Sequence, residues 1–111
     1  MRVTDLIAIG SPFAGTPVAN MGVGKDAEEM RPDHPFNRDL REEIAKHPEI
    51  RFFCIASETD LIVPAQSALS ATNRSSRKRV FKNIGHSQLL FSQKTTHQIC
   101  RWLNRSVLPE I

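Results

Sequence analysis

The stretch Arg79-Val-Phe-Lys-Asn-Ile-Gly-His-Ser-Gln-Leu-Leu-Phe91 contains the change of pattern that decides the fold. Its first part, Arg79–Ile84, predicts a short strand, which Gly85 interrupts. His86 follows the glycine, and Ser87–Phe91 leads into a helix. Active sites of α/β proteins gather at the carboxyl ends of parallel strands, so a histidine at this position is a candidate general base.

Two earlier stretches also have the length and composition of strands. Asp5–Ile9 is almost continuously apolar, which predicts a strand that is buried on both faces, and Arg51–Ala56 predicts the second strand. The predicted helices are Asn37–Lys46 (capped by Asn37), Ala65–Ala71 and a final helix capped by Ser92. Strands that alternate with helices predict an α/β fold with about three parallel strands and flanking helices.

The final helix is predicted to bury a stripe of residues spaced i, i+3, i+4 and i+7. These are Thr96, Ile99, Cys100 and Leu103. Cys54 lies inside the second strand, and the spacing of the two cysteines matches no metal or redox motif. We therefore expect two buried free thiols, as in a reducing compartment. No signal peptide is visible, so a cytoplasmic location is expected.

Residues 11–36 form a long segment rich in proline and glycine, for which we predict loop structure with one helical turn at Asp26–Met30. Its apolar residues, among them Phe13 and Val18, leave two interpretations open. The segment is either a lid that lines a pocket or a packed surface loop without chemistry.

Composition limits the class of protein. The length of 111 residues predicts a single domain spanning 1–111, and 40% hydrophobic residues are ordinary for a globular protein. No apolar run approaches the ~20 residues of a membrane span. The basic run at Arg74 and Arg77–Arg79 is either a solvated turn or an electrostatic site for an anion or nucleic acid. Since no aromatic residues are interleaved with it, no nucleic-acid partner is predicted.

Asp60 is the candidate partner of His86. It follows the second strand as His86 follows the third, and neighbouring parallel strands lie about 5 Å apart. A carboxylate that accepts from one imidazole nitrogen leaves the other nitrogen free as a base. Glu58 is a competing acid, and an unrelated structural role for both side chains is the alternative. The four histidines lack metal-ligand spacing, and neither a metal nor a cofactor is expected.

Three segments together resemble lipase- and esterase-like α/β-hydrolases of the serine hydrolase superfamily. Leu6–Pro17 resembles their strand followed by G-[ST]-P-x-x-G-T, Glu58–Pro64 their D-x-x-V-P segment, and Gly85–Phe91 their G-H-x-x-L-L segment. The resemblance implies a partial α/β-hydrolase fold with Asp60 as triad acid and His86 as triad base. The residues that it makes candidates for the substrate pocket are Ser11, Pro12, Phe13, Gly15 and Thr16.

The sequence departs from this family in several respects, one of which is Phe13 after Pro12 where relatives often carry histidine. It contains no G-x-S-x-G, the motif that holds the nucleophilic serine, and the family's oxyanion-hole donors are also unmatched. Since that motif precedes the strand matched by Leu6–Ile9, we expect the C-terminal half of a hydrolase. It would act on acyl esters once completed by an upstream segment, and would otherwise be inactive and prone to self-association. The alternative is a catalytically dead hydrolase-like module that serves binding or assembly.

Overall fold

The computed structural model describes residues 3–22 and 24–107. Three parallel strands form one sheet in the order β1-β2-β3: β1 is Asp5–Ile9, β2 is Arg51–Ser57 and β3 is Ser76–Phe81. The α-helices are α1 (Lys25–Glu29), α2 (Pro35–Ala45), α3 (Ala65–Ala68) and α4 (Gln93–Val107), with two 3-10 helices at Pro17–Met21 and Ser87–Leu90. The predicted α/β class, with three parallel strands and flanking helices, is confirmed.

Strand β2 lies at the centre of the sheet and is buried from Phe52 to Ser57. Successive side chains of a strand point to opposite faces, so Phe53 and Ile55 share one face. There they pack with Leu89 and Trp102, and the rings of Phe53 and Trp102 stack with centroids 4.7 Å apart. Helix α4 carries Trp102 and therefore covers this face of the sheet.

The opposite face is covered by α2 and by the segment after β1. Phe52 and Cys54 pack there with Phe13, and Ile44 of α2 lies against the same cluster. Burial raises the pKa of the Cys54 thiol to about 11, so this cysteine stays protonated and unreactive at neutral pH. Both faces of β2 are thus closed by apolar packing.

The two edges of the sheet differ in character. Strand β1 was expected to be buried on both faces, but it is an edge strand of the described sheet, and Leu6 is 44% exposed. Its acid, Asp5, is bound by Arg51 at 2.8 Å, which leaves the rest of the strand apolar. Strand β3 instead exposes Arg77–Arg79, and such charges discourage further strands from pairing with an edge.

The third strand begins three residues earlier than predicted. The side chain of Asn73 donates to the carbonyls of His47 and Ile50 at 3.1 and 3.0 Å, which fixes the turn just before β3. Pairing with β2 ends at Phe81, and Asn83 has a φ of 61°, so the chain turns before Ile84. Part of the basic run expected to form a turn is therefore in the strand.

The predicted cap of α2 was wrong by three residues. His34 caps this helix, because its Nδ1 accepts from the N–H of Phe36 at 3.1 Å and Pro35 occupies the first helical position. Asn37 is buried instead, and its Nδ2 donates to the carbonyl of Arg31 at 3.1 Å. Helix α3 is also shorter than predicted and ends at Ala68.

Helix α4 begins as predicted, but the face that it buries is displaced by one residue from the predicted face. The Oγ of Ser92 accepts from the N–H of Lys94 at 3.2 Å, which confirms the cap. The residues that face the sheet include Thr95 and Trp102, whereas the predicted stripe members Thr96, Cys100 and Leu103 are exposed. The expectation of two buried thiols is therefore right for Cys54 and wrong for Cys100.

Helix α4 buries a hydroxyl that has no partner among the described residues, the Oγ1 of Thr95. We expect Thr95→Val to raise the free energy of unfolding by about 1 kcal/mol, because it removes an unpaired polar group at nearly constant volume. Urea denaturation monitored by circular dichroism measures the change. Thr96→Val on the exposed face is the matched control and is expected to have little effect. A destabilised Thr95→Val variant would contradict the unpaired state of this hydroxyl.

Candidate active site

Three loops leave the sheet at its carboxyl edge, after Ile9, Ser57 and Phe81. The backbone pairing continues past the strands. The N–H of Gly10 donates to the carbonyl of Ile55 at 2.8 Å, and the N–H of Glu58 donates to that of Phe81 at 2.9 Å. The start of each loop is therefore fixed by the sheet, and side chains that follow neighbouring strands are brought together.

Asp60 and His86 are in direct contact. The Oδ2 of Asp60 lies 2.7 Å from the Nδ1 of His86, and the carboxylate is buried, with 1% of its side chain exposed. The second oxygen, Oδ1, accepts from the backbone N–H groups of Ile62 and Val63, each at 2.8 Å. Three hydrogen bonds thus hold the acid in one orientation. An Nδ1–H that donates to this carboxylate leaves the lone pair on Nε2 of His86.

The competing acid is elsewhere. Glu58 has a side chain that is 55% exposed, and its Oε2 lies 4.0 Å from the Nζ of Lys82. This places Glu58 in a surface ion pair, while Asp60 occupies the position beside the imidazole.

Gly10 makes room for the imidazole. Its φ is +59°, and a Cβ at this position would lie 3.2 Å from Cε1 and 3.3 Å from Nδ1 of His86. Any larger residue would press against the ring and would also be strained in this left-handed conformation. Gly10 is the glycine of the G-[ST]-P segment, and a glycine directly after a strand is a sequence signal for such a close approach.

Two hydroxyls connect the loop that carries Asp60 (the acid loop) to the loop that carries His86 (the histidine loop), and no pattern in the sequence predicts these contacts. The Oγ of the buried Ser57 donates to the carbonyl of Ile84 at 2.5 Å, and the Oγ1 of Thr59 reaches the same oxygen at 3.1 Å. The next turn is closed by Gln88, whose Oε1 accepts from the N–H of Gly85 at 2.9 Å. The backbone on both sides of His86 is therefore held in place.

The five candidates for the substrate pocket occupy different environments. Ser11 and Pro12 are partly accessible, whereas Phe13 is buried with its ring edge-on to Phe52. Gly15 and Thr16 are buried as well.

The buried members of this loop brace the acid loop. The Oγ1 of Thr16 donates to the carbonyl of Ile62, and the Oγ of Ser67 donates to the carbonyl of Gly15 at 2.6 Å. The φ of Gly15 is +80°, and a Cβ there would lie 2.6 Å from the carbonyl oxygen of Arg31. Phe13, Gly15 and Thr16 are thus packed inside the fold, which leaves Ser11 and Pro12 as the accessible part of the predicted set.

Two large apolar side chains that follow the pair in the sequence are exposed. His86 is one-third exposed, while Leu61 after the acid is 89% exposed and Phe91 after the histidine is 85% exposed. Phe91 also lines an open cavity of about 390 Å³ together with Ile84 and Ser87. Exposed apolar side chains of this size are typical of contacts with another apolar group.

A nucleophile partnered with the imidazole is missing from residues 3–22 and 24–107. Of the described residues, Asp60 alone is hydrogen-bonded to the ring of His86. In the same part of the chain, no three His, Cys, Asp or Glu side chains cluster as metal ligands would. Nor does any described helix have the length and hydrophobicity needed to cross a bilayer.

Comparisons of the chain with models of protein families, with curated proteins and with solved structures find nothing that matches. The interpretation of the Asp60–His86 pair consequently rests on residues and geometry alone.

The geometry predicts the tautomer of His86. In the neutral ring we expect the proton on Nδ1, because the carboxylate of Asp60 accepts there. Long-range ¹⁵N–¹H NMR correlation spectra of the histidines distinguish the two ring nitrogens. Asp60→Ala is expected to shift the neutral ring toward the Nε2–H form, while the signals of the distant His34 and His97 stay unchanged. An Nε2–H ring in the unmodified protein would contradict the assigned orientation.

Proposed function

We propose that this chain supplies the acid and the base of a Ser-His-Asp hydrolase of the lipase or esterase type, which acts on acyl esters. The observation that carries the proposal is the 2.7 Å contact between Asp60 and the Nδ1 of His86 at the carboxyl edge of a parallel sheet. Three segments with the family's motifs, in the family's order, add support.

The chemistry assigns a separate task to each residue. His86 takes the proton of a serine hydroxyl through Nε2 while that oxygen attacks the ester carbonyl, and then returns the proton to the leaving alcohol. Asp60 stays hydrogen-bonded to Nδ1 and stabilises the imidazolium that forms between these steps. The backbone N–H groups of Ile62 and Val63 keep its carboxylate from turning away. This arrangement of acid and base suits general-base catalysis, whichever segment supplies the serine.

We further propose that the serine comes from another polypeptide segment, which joins the sheet beside β1. The described sheet leaves the outer edge of β1 unpaired and apolar, and Leu6 is partly exposed there. Leu61, next to Asp60 in the sequence, and Phe91, five residues after His86, are exposed apolar side chains that such a segment would cover. The acyl-ester substrate would then bind between this segment and the accessible residues Ser11 and Pro12.

The second candidate function is an inactive hydrolase-like module for binding or assembly. It is favoured by one observation, that none of the serines in the described part of the chain is hydrogen-bonded to His86. Such a module would use the same exposed apolar side chains and the same β1 edge, without turnover.

An ester-cleavage assay tests whether His86 is activated. An imidazole held by a carboxylate attacks or deprotonates more readily than a free one, so the isolated chain is expected to cleave p-nitrophenyl acetate slowly. His86→Ala is expected to lower this rate roughly threefold or more, since general-base assistance exceeds the background of ordinary histidines. His97→Ala removes an exposed histidine from α4 and is the matched control. Equal losses in the two variants would count against an activated His86.

A labelling experiment on the same samples distinguishes a chain that needs a serine from a second segment from a chain that contains its own nucleophile. We expect a fluorophosphonate probe to leave the isolated chain unlabelled. Labelling that Ser11→Ala or Ser87→Ala abolishes would assign an internal nucleophile and refute the need for a second segment. If the chain stays unlabelled and His86→Ala matches His97→Ala in the ester assay, the inactive module is the better description.

A further prediction concerns the unpaired edge of β1. Because an apolar edge strand is a template for pairing, the isolated chain is expected to self-associate in a concentration-dependent way. Leu6→Lys places a charge on this edge and is expected to shift the equilibrium toward monomer. Val18→Lys, on a partly exposed site away from the edge, is the control. Size-exclusion chromatography with light scattering measures the mass, and a monomer at all concentrations would contradict the prediction.

A further inference from the structure

The charges of this chain are unevenly distributed along the sequence. Residues 61–109 contain eight Lys and Arg and no Asp or Glu, whereas residues 1–60 contain eleven Asp and Glu and seven Lys and Arg. The modest net charge of +3 conceals this asymmetry. A strong imbalance between two halves of a chain points to an anionic partner for the basic half.

The fold gathers much of this basic half around one cleft, between the edge strand β3 and helix α4. The cleft has a volume of about 690 Å³. Its basic lining residues are Arg79, Lys82, Lys94, His97 and Arg101. Asn83, Gln93 and Gln98 supply further polar donors. Val80 and Phe81 complete the lining. This cleft is separate from the Asp60–His86 pair, neither of which lines it.

The two elements present their charges toward each other for simple geometric reasons. Lys94, His97 and Arg101 are spaced i, i+3 and i+7, which places them on one face of α4. Arg79 projects from β3, and its guanidinium carbon lies 5.3 Å from the centre of the Phe81 ring. This contact with the ring positions the guanidinium beside the cleft that both residues line.

Most of the charge in the cleft has no acidic counterpart in its lining. Among the lining cations, Lys82 has an acidic partner, Glu58, at 4.0 Å in an exposed ion pair, and none of the residues that line the cleft is acidic. Four permanent cations around one cavity repel one another, and a bound anion relieves that repulsion. His97 adds a further charge whenever it is protonated.

We propose that the cleft between β3 and α4 binds the oligophosphate group of a small anionic molecule. Several guanidinium, ammonium and amide donors surround one cavity, and phosphate oxygens are the acceptors that such a set recognises. A chain of two or three phosphates fits a cleft whose cations come from two facing elements better than a single phosphate does. The only aromatic residue in the lining, Phe81, is buried, so no platform for base stacking favours nucleic acid. The proposal does not depend on hydrolase activity.

Isothermal titration calorimetry with inorganic tripolyphosphate tests the proposal on the full chain. We expect binding that weakens as salt is raised, because the contacts are ionic. The double variant Arg79→Gln/Arg101→Gln is expected to weaken it about tenfold or more, since it removes charge-assisted hydrogen bonds from both walls. The control Arg38→Gln/Lys78→Gln removes the same number of charges at exposed sites, from α2 and from the opposite face of β3, and is expected to bind like the unmodified chain.

The possible outcomes separate the proposal from its competitors. No binding of tripolyphosphate, or equal weakening in both double variants, would overturn it, since the second result would mean unspecific attraction to a basic surface. Circular dichroism of each variant checks that the fold is retained. Parallel titrations use a short DNA duplex and phosphatidylserine vesicles. If either of these binds and excess tripolyphosphate fails to displace it, the cleft serves a nucleic acid or a membrane surface and the small-molecule assignment is wrong.

Discussion

The parallel pairing of β2 with both of its neighbours is the constraint on which the rest of the structure depends. It aligns Leu6 with Phe52 on one side and Phe52 with Ser76 on the other, so that the three strands end at one edge of the sheet. The same pairing continues into the loops through the N–H groups of Gly10 and Glu58. Because β2 is buried on both faces, a shift of register would move its large side chains out of their clusters. The place of the Asp60–His86 pair is thus a consequence of the sheet.

Hydroxyl groups add a second level of constraint at this edge. Thr16, Ser57 and Ser67 each donate to a backbone carbonyl of a loop distant in sequence: Ile62, Ile84 and Gly15. Each such bond contributes about 1 kcal/mol, and leaving its buried partners unpaired would cost more. Side chains that donate across loops fix the spacing of those loops without adding charge. The imidazole therefore sits between two braced segments, the arrangement that proton transfer between fixed partners requires.

The sequence predicted the strands and the pairing of Asp60 with His86 better than the details that orient them. The apolar runs at Asp5–Ile9 and Arg51–Ala56 have few alternatives to a strand, so their positions were clear, although the first proved to be an edge strand of the described sheet and not a buried one. In α4, the predicted apolar stripe and the stripe one residue before it have similar periodicity. The packing of Trp102 against Phe53 buries the stripe that was not predicted. Asp60 was the preferred acid and Glu58 a competing one, and in the structure the N–H groups of Ile62 and Val63 hold Asp60 beside His86.

The braces at the site were missed for a different reason. Ser57 and Thr59 are residue types found in most loops, and their common partner, the carbonyl of Ile84, is 27 and 25 residues away in the sequence. No local pattern reports such a contact. The basic cleft was only partly visible for the same reason, since Arg79 and Arg101 are brought together by packing and not by spacing in the chain.

The two edges of the sheet point to a division of roles between the two proposed sites. An added strand would pair with β1, because the charged side chains of β3 oppose pairing at the other edge. A segment beside β1 would lie next to Gly10, which packs closely against the ring of His86. The basic cleft lies along the other edge, between β3 and α4, and stays open when β1 is paired. Completion of the hydrolase site and binding of an anion are therefore compatible in one molecule.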